Sequence, residues 1–233
     1  CTPAEGVPVQ GSGKIIVTDY PGYYAGKIVL ADKTLVDKDG YTINSSNPPV
    51  GIICGSNSYG VPQMVALHTS GSTLEWAKDG STGYKTKFEG IICKRNGNGF
   101  EGDTDGSDNW EYICRIDPTG SADAATNYSA FHWVNTYNET YKTQLNNQTF
   151  AWYMPSLAEL CEVYKNRDAI NESLATIHGL DNSYGDSSLG TLRYWSSPQY
   201  FYDKLAWQVD FIYGNEEYNF KFTKYRVCCL AGF

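Results

Sequence analysis

Strict alternation of Trp207, Val209 and Phe211 in the last third of the chain fixes a strand there, because successive side chains of an extended segment point to opposite faces. The residues around that strand are unusual. From Gln199 to Arg226, ten of 28 positions are Phe, Tyr or Trp, whereas the whole chain is only 15% aromatic. Between the fixed-looking points sit Tyr, Phe, Asp, Asn, Ile and Leu in no periodic order. Tyr offers a large contact area with few rotors, and Asn offers adaptable hydrogen bonds, which is what recognition loops use. The tail, Tyr194 to Phe233, reads as a binding surface mounted on a strand scaffold.

The 233 residues suffice for one large domain with a full core. A net charge of -8, with no cluster of Lys or Arg to neutralise phosphates, argues against nucleic acid and against a polybasic membrane contact. The 23 glycines, 19 tyrosines and two methionines suggest a loop-rich chain with many strands. Apolar runs are short, and Val50–Cys54 suits a single buried strand.

Cysteine use divides in two. Cys1 precedes TPAEGVPVQGSG, a Pro-, Gly- and Ser-rich stretch that reads as a flexible linker over residues 1–13. That arrangement is what remains when a bacterial lipoprotein signal peptide is removed and the cysteine is acylated. Lipidation at Cys1 and an outer-membrane, cell-surface location are therefore expected, with the lipid as the sole membrane contact. Cys54, Cys93, Cys114, Cys161, Cys228 and Cys229 contain no Cys-x-x-Cys pair, so zinc is not expected. Their even number permits disulfides and leaves the pairing open. Cys161 falls on an apolar helix face and reads as an inert core thiol.

From Lys14 onward the pattern predicts strands at Lys14–Val17, Lys27–Leu30, Val50–Cys54 and Gln63–Leu67, then a helical turn at Leu74–Lys78. Further strands are expected at Gly90–Lys94 and Trp110–Ile116, separated by the loop NGNGFEGDTDGSDN. Asp103, Asp105 and Asp108 in that loop could ligate calcium, but the order does not fit an EF-hand. An Asp/Gly turn with side chains capping the backbone is the favoured reading. A helix is expected to begin near Ala122. The clearest helix follows Pro155: Ser156 and Glu159 form a capping box, and Leu157, Leu160, Cys161 and Tyr164 recur at helical spacing. A second helix is expected over Ala169–Ile177, stopped by His178-Gly179. In the tail, Gly214-Asn215 signals a turn after the Trp207 strand. At the end of the chain Val227, Cys229 and Ala231 share one face, and Cys228 and Leu230 the other, in a buried strand expected beside the first strand.

The segment WYMPSLAELCEVYKNRDAINESL, followed by YWSS, AWQVDF and VCCLAGF, resembles a bacterial family. It is similar to the formylglycine-generating-enzyme type of the C-type lectin fold, and within it to the variable proteins of diversity-generating retroelements, spirochaetal lipoproteins among them. The resemblance is specific from about Phe150 to Phe233. It implies an α+β domain over residues 14–233 with short twisted strands, two helices and neighbouring chain ends.

It also implies a diversified tail. In such systems adenines of a template repeat are miscopied, so Asn codons ending in a pyrimidine become others, Tyr, Phe, Asp, Ile and Leu among them. Lys, Glu, Gln, Trp and Met cannot arise that way. Tyr200, Phe201, Tyr202, Asp203, Leu205, Asp210, Ile212, Tyr213, Asn215, Tyr218, Asn219, Phe220 and Phe222 fit the permitted set and are the expected ligand-binding residues. Trp207, Glu216, Glu217, Lys221 and Lys224 do not fit it, and Gln208 interrupts the run. The expected partner is a protein or a surface glycan.

No catalytic residue, cofactor or metal is expected. Cys228 and Cys229 would point to opposite faces of a strand, and the three histidines lie far apart. No G-x-S-x-G elbow, P-loop or H-E-x-x-H helix occurs. A display protein, a static member of the same fold and an enzyme of the formylglycine-generating type differ in what the tail exposes. Display requires Tyr200, Tyr202, Asp210, Tyr213 and Tyr218 to be accessible above a buried Trp207, Val209 and Phe211.

Overall fold

Short apolar runs punctuated by glycine fold into short strands, and the computed structural model describes them over residues 24–57, 60–97 and 99–232. Cys1, the expected linker and the expected strand Lys14–Val17 lie outside the described residues. The first strands are β1 (Ile28–Leu30), β2 (Leu35–Val36), β3 (Pro49–Ser56), β4 (Pro62–Ala66) and β5 (Leu74–Glu75). After helix α1 (Thr82–Lys85) and a 3-10 turn at Glu89–Ile91 comes the hairpin β6 (Cys93–Asn96) and β7 (Gly99–Gly102).

A helical middle follows: α2 (Asn109–Ile116), α3 (Pro118–Ala122), α4 (Ala124–Asn127), α5 (Ser129–Asn135), α6 (Tyr137–Thr140), α7 (Leu157–Lys165) and α8 (Arg167–Leu180). The tail supplies β8 (Arg193–Gln199), β9 (Leu205–Asp210), β10 (Asn215–Phe220), β11 (Lys224–Tyr225) and β12 (Leu230–Gly232). The architecture is α+β. Among the described residues no helix is long and apolar enough to cross a membrane.

All strand pairs within the sheets are antiparallel. One sheet runs β12-β4-β3-β1-β2, a second runs β10-β9-β8, and β11 with β5 and β6 with β7 form two-stranded ladders. The alternation in the closing segment divides two cores. Val227, Cys229 and Ala231 join Trp76, Phe88 and Phe131, while Cys228 and Leu230 join Leu157, Leu160 and Ile170. One extended run thus supplies both layers.

The capping box forms. Glu159 N donates to Ser156 Oγ at 3.2 Å, and Ser156 N donates to the Glu159 carboxylate at 2.8 Å. Glu159 is buried and also accepts from Gly106 N at 3.1 Å and Gln63 Nε2 at 2.6 Å, which ties the helix start to the loop before α2 and to strand β4.

Several expectations are corrected. Trp110–Ile116 is helical, because Asn109 and Ile113 are the buried positions and their spacing is that of one helical turn. Leu74–Glu75 is a strand rather than a helical turn, paired with Lys224–Tyr225. The strand expected at Gly90–Lys94 starts only at Cys93, after the 3-10 turn. The loop 96–109 contains β7. The helix expected from Ala122 is broken into short pieces between Pro118 and Thr140, so the described residues hold more than two helices. Helix α8 begins at Arg167 and continues through His178 and Gly179, with Asn166 serving as C-cap of α7 and N-cap of α8. The last strand pairs with β4. Cys161 is only half-buried, its Sγ 3.6 Å from Glu216 Oε1. All six cysteines in the described residues are unpaired.

Candidate ligand-binding face

Strand β9 is the fixed element of the tail. Trp207, Val209 and Phe211 are all at most 4% exposed. Trp207 Nε1 donates to Cys93 O at 2.8 Å, which seats the β6–β7 hairpin on the sheet. The Phe211 ring meets Tyr194 at 4.6 Å and Tyr164 at 5.4 Å between centroids.

Strand β10 is the edge of this sheet, in register Tyr218 to Trp207 and Phe220 to Leu205. Cross-strand neighbours share a face, so Tyr218 and Phe220 stand on the side occupied by Trp207. Tyr218 stacks on Tyr200 with centroids 3.9 Å apart and planes 17° from parallel, and Trp207 lies edge-on to both rings. Tyr202 is 5.9 Å from Tyr200, and Phe201 is 5.2 Å from Tyr202. Phe220 and Phe222 form a parallel stack, and Phe222 rests against Tyr84. Burial and the hydroxyl of Tyr218 push the Tyr200 phenol above its ordinary pKa.

A second exposed group sits at the other end of β9. Ile212 and Tyr213 occupy the turn before β10, and Tyr213, 73% exposed, is the most exposed large hydrophobic side chain among the described residues of the tail. With about 3.3 Å per strand residue, β9 holds this group and the Tyr202 group roughly 17–20 Å apart. The turn requires glycine at 214: its φ is +76°, and a Cβ there would fall 2.3 Å from the Tyr164 ring.

The polar residues of the expected site divide. Asn215 is exposed and Asp203 and Asn219 are half-buried, as are the apolar Leu205 and Phe222 and, in place of its expected accessibility, the ring of Tyr200. Asp210 is buried, which corrects its expected exposure: it accepts from Ile212 N at 2.7 Å and from Arg193 Nε at 3.1 Å. Burial works to raise the Asp210 carboxyl, but the Ile212 amide and the Arg193 guanidinium hold it below the usual carboxylate range. Asn219 donates to Tyr225 Oη at 2.8 Å and accepts from Phe220 N.

The residues outside the permitted set are anchors, Lys224 excepted. Glu216 pairs with Arg95 at 3.4 Å, and Glu217 accepts from Gln208 Nε2 at 2.9 Å and pairs with Arg193 at 3.5 Å. Lys221 is fully buried and donates to Gly83 O, Thr86 O and Gln199 Oε1, with its ammonium over the Trp76 and Phe88 rings. Lys224 is exposed and lies opposite Glu75 in the β11–β5 ladder.

Residues far from the tail complete the face. Lys87 and Lys94 place their ammonium groups 5.3 and 5.8 Å from the Phe201 centroid, and Tyr84 presents its ring 5.9 Å from the ammonium of Lys204 in the tail. Tyr84, Lys87 and Lys94 carry no mark in the sequence, since they reach the tail only through folding.

The Asp loop behaves as a capped turn. Asp105 N donates to Asp103 Oδ1, Ser107 N to Asp105 Oδ1, and Asn109 Nδ2 to Asp103 Oδ2 at 2.6 Å. Burial pushes the Asp103 carboxyl up to about 7. Among the described residues no group of three or more His, Cys, Asp or Glu is placed to hold a metal ion. Cys228 and Cys229 lie in opposite cores, and burial raises both thiols.

No family model, curated protein or solved structure matches this chain.

Proposed function

We propose that this chain is a ligand-display protein of the C-type lectin fold, in the formylglycine-generating-enzyme type, whose tail is diversified by a retroelement to bind varied protein or glycan partners. One observation carries the reading: the partition of the tail by codon class follows the partition by contact. Phe201, Tyr202, Ile212, Tyr213 and Phe220, which a miscopied Asn codon can produce, are 46–73% exposed and make no side-chain hydrogen bond. Trp207, Glu216, Glu217 and Lys221, which it cannot produce, are tied to Cys93, Arg95, Arg193 and Gln199. A scaffold that keeps its anchors and varies its exposed rings can change ligand without refolding, and its rigid strands limit the ordering cost of binding.

Asp210 and Asn219 depart from the partition, since both are permitted residues held by fixed contacts, and Lys224 departs the other way, outside the permitted set yet exposed. The exposed aromatics favour binding over catalysis, because each offers ~150–250 Å² to bury and a few central rings usually dominate affinity. Surface display belongs to the same proposal, as in the lipoproteins the tail resembles, and many copies side by side would turn modest affinity into avidity. Sequencing the DNA around the coding region tests the reading. A near-identical template repeat beside a reverse transcriptase gene is expected, and a locus with neither would leave a static surface protein.

A further inference from the structure

A cleft between residues 68–71 and the loop 181–192 has two buried nitrogen atoms without a partner in its lining residues, His68 Nε2 and Arg226 Nε. Both side chains are otherwise fixed. His68 stacks on Tyr141 at 4.1 Å with 9° between the ring planes, and its Nδ1 lies 3.4 Å from Asp186 Oδ1. Arg226 donates through Nη1 to Ser70 O, and its backbone is bonded to Arg193 and Trp195.

Asp186 is already engaged. It accepts from Thr69 N and Thr69 Oγ1, both at 2.8 Å, and Asp186 N donates to Leu67 O. The loop is held at a second point, where His178 Nδ1 meets Gly185 O at 2.9 Å. Ser187 and Ser188 also line the cleft.

Buried polar atoms in native proteins are paired, and an unpaired one signals a missing polar group. A guanidinium Nε–H can only donate. The imidazole Nε2 donates as well when both ring nitrogens carry a proton, and such a ring needs an acceptor at Nε2 beside Asp186 at Nδ1. In that form, two residues lining one cleft each hold a buried donor without an acceptor. We infer that this cleft binds an oxyanion, the carboxylate or phosphate group of a small ligand, between Arg226 and His68 with Ser187 and Ser188 beside it. Both nitrogens are shielded from solvent, so seating the anion moves the outer wall, the loop 181–192. The site is separate from the aromatic face and does not depend on its proposed role.

The test is a nuclear magnetic resonance titration of the full chain with inorganic phosphate and, separately, with sodium acetate at constant ionic strength. Saturable shifts of the His68 ring and of the amides of residues 185–190 are expected. His68→Gln and Arg226→Gln should each weaken binding by about tenfold or more, as loss of a charge-assisted contact does. If Arg226→Gln does not fold, His68→Gln and Ser188→Ala carry the comparison. Tighter binding of phosphate would name a phosphoryl ligand, and equal or tighter binding of acetate a carboxylate. No saturable shift with either anion, or shifts unchanged in the variants, would overturn the site.

Discussion

Lys221 Nζ donates to Gln199 Oε1 at 2.8 Å, with the whole lysine side chain shut away from solvent. Gly83 O at 2.9 Å and Thr86 O at 3.1 Å take the other two protons. Burial drives the ammonium well below the usual lysine range, and the three acceptors and two aromatic faces oppose that shift. This one residue clamps the end of β10 to α1 and so holds Phe220 and Phe222 on either side of it.

Lys221→Met removes the clamp and takes the ammonium donor from buried Gly83 O and half-buried Thr86 O, while Gln199 Oε1 keeps Phe88 N at 3.2 Å. A loss of about 2–4 kcal/mol in unfolding free energy is expected, because each unsatisfied buried group costs roughly 1–3 kcal/mol. Urea denaturation of the variant against wild type measures it. A variant as stable as wild type would show that the clamp contributes nothing.

The exposed rings should behave differently. Tyr202→Ala with Tyr213→Ala should change stability by no more than ~0.5 kcal/mol, as surface substitutions do. Tyr218→Ala should cost about 1 kcal/mol, since it loses the stack on Tyr200 and the edge contact with Trp207. Thermal melts of the three proteins decide. Unfolding of the Tyr202/Tyr213 double variant would place those rings in the core.

Asp103 gives the pH dependence a sign. Its folded pKa of about 7 lies above the ordinary 3.8, so between those values the folded chain binds more protons than the unfolded one. Its contribution is full below pH 3.8 and is lost as pH rises through 7. Asp103→Asn keeps an amide oxygen for Asn109 and removes the titration. The variant should therefore gain on wild type between pH 4 and pH 8, by on the order of 2 kcal/mol. Urea midpoints at both pH values test it, and parallel curves for the two proteins would refute it.

Glu216 shields Cys161. Burial, then the neighbouring carboxylate, raises that thiol well above its ordinary value. Glu216→Gln removes the charge and should speed alkylation of Cys161 by iodoacetamide at pH 8.5 about three- to tenfold, following the gain in thiolate. An unchanged rate would mean that burial alone controls the thiol.

The sequence carries the tail well, because strand alternation and a Gly-Asn turn are local signals, and so is the capping box of Ser156 and Glu159. Trp110–Ile116 misleads because its aromatic and β-branched residues suit a strand, and a short apolar run has no period long enough to decide. Only packing of Ile113 into the core selects the helix there. Asp210 misleads for another reason. Its partner Arg193 lies on β8, and the register that brings them together is set by tertiary pairing. The lysines around Phe201 are invisible for the same cause.

Deep sequencing of the coding region for residues 194–233 across a natural population of cells tests the central claim most directly. The account predicts replacements concentrated at the exposed positions Phe201, Tyr202, Ile212, Tyr213, Tyr218 and Phe220, with Trp207, Glu216, Glu217 and Lys221 unchanged. A uniform tail, or replacements spread equally over Trp207 and Lys221, would contradict it.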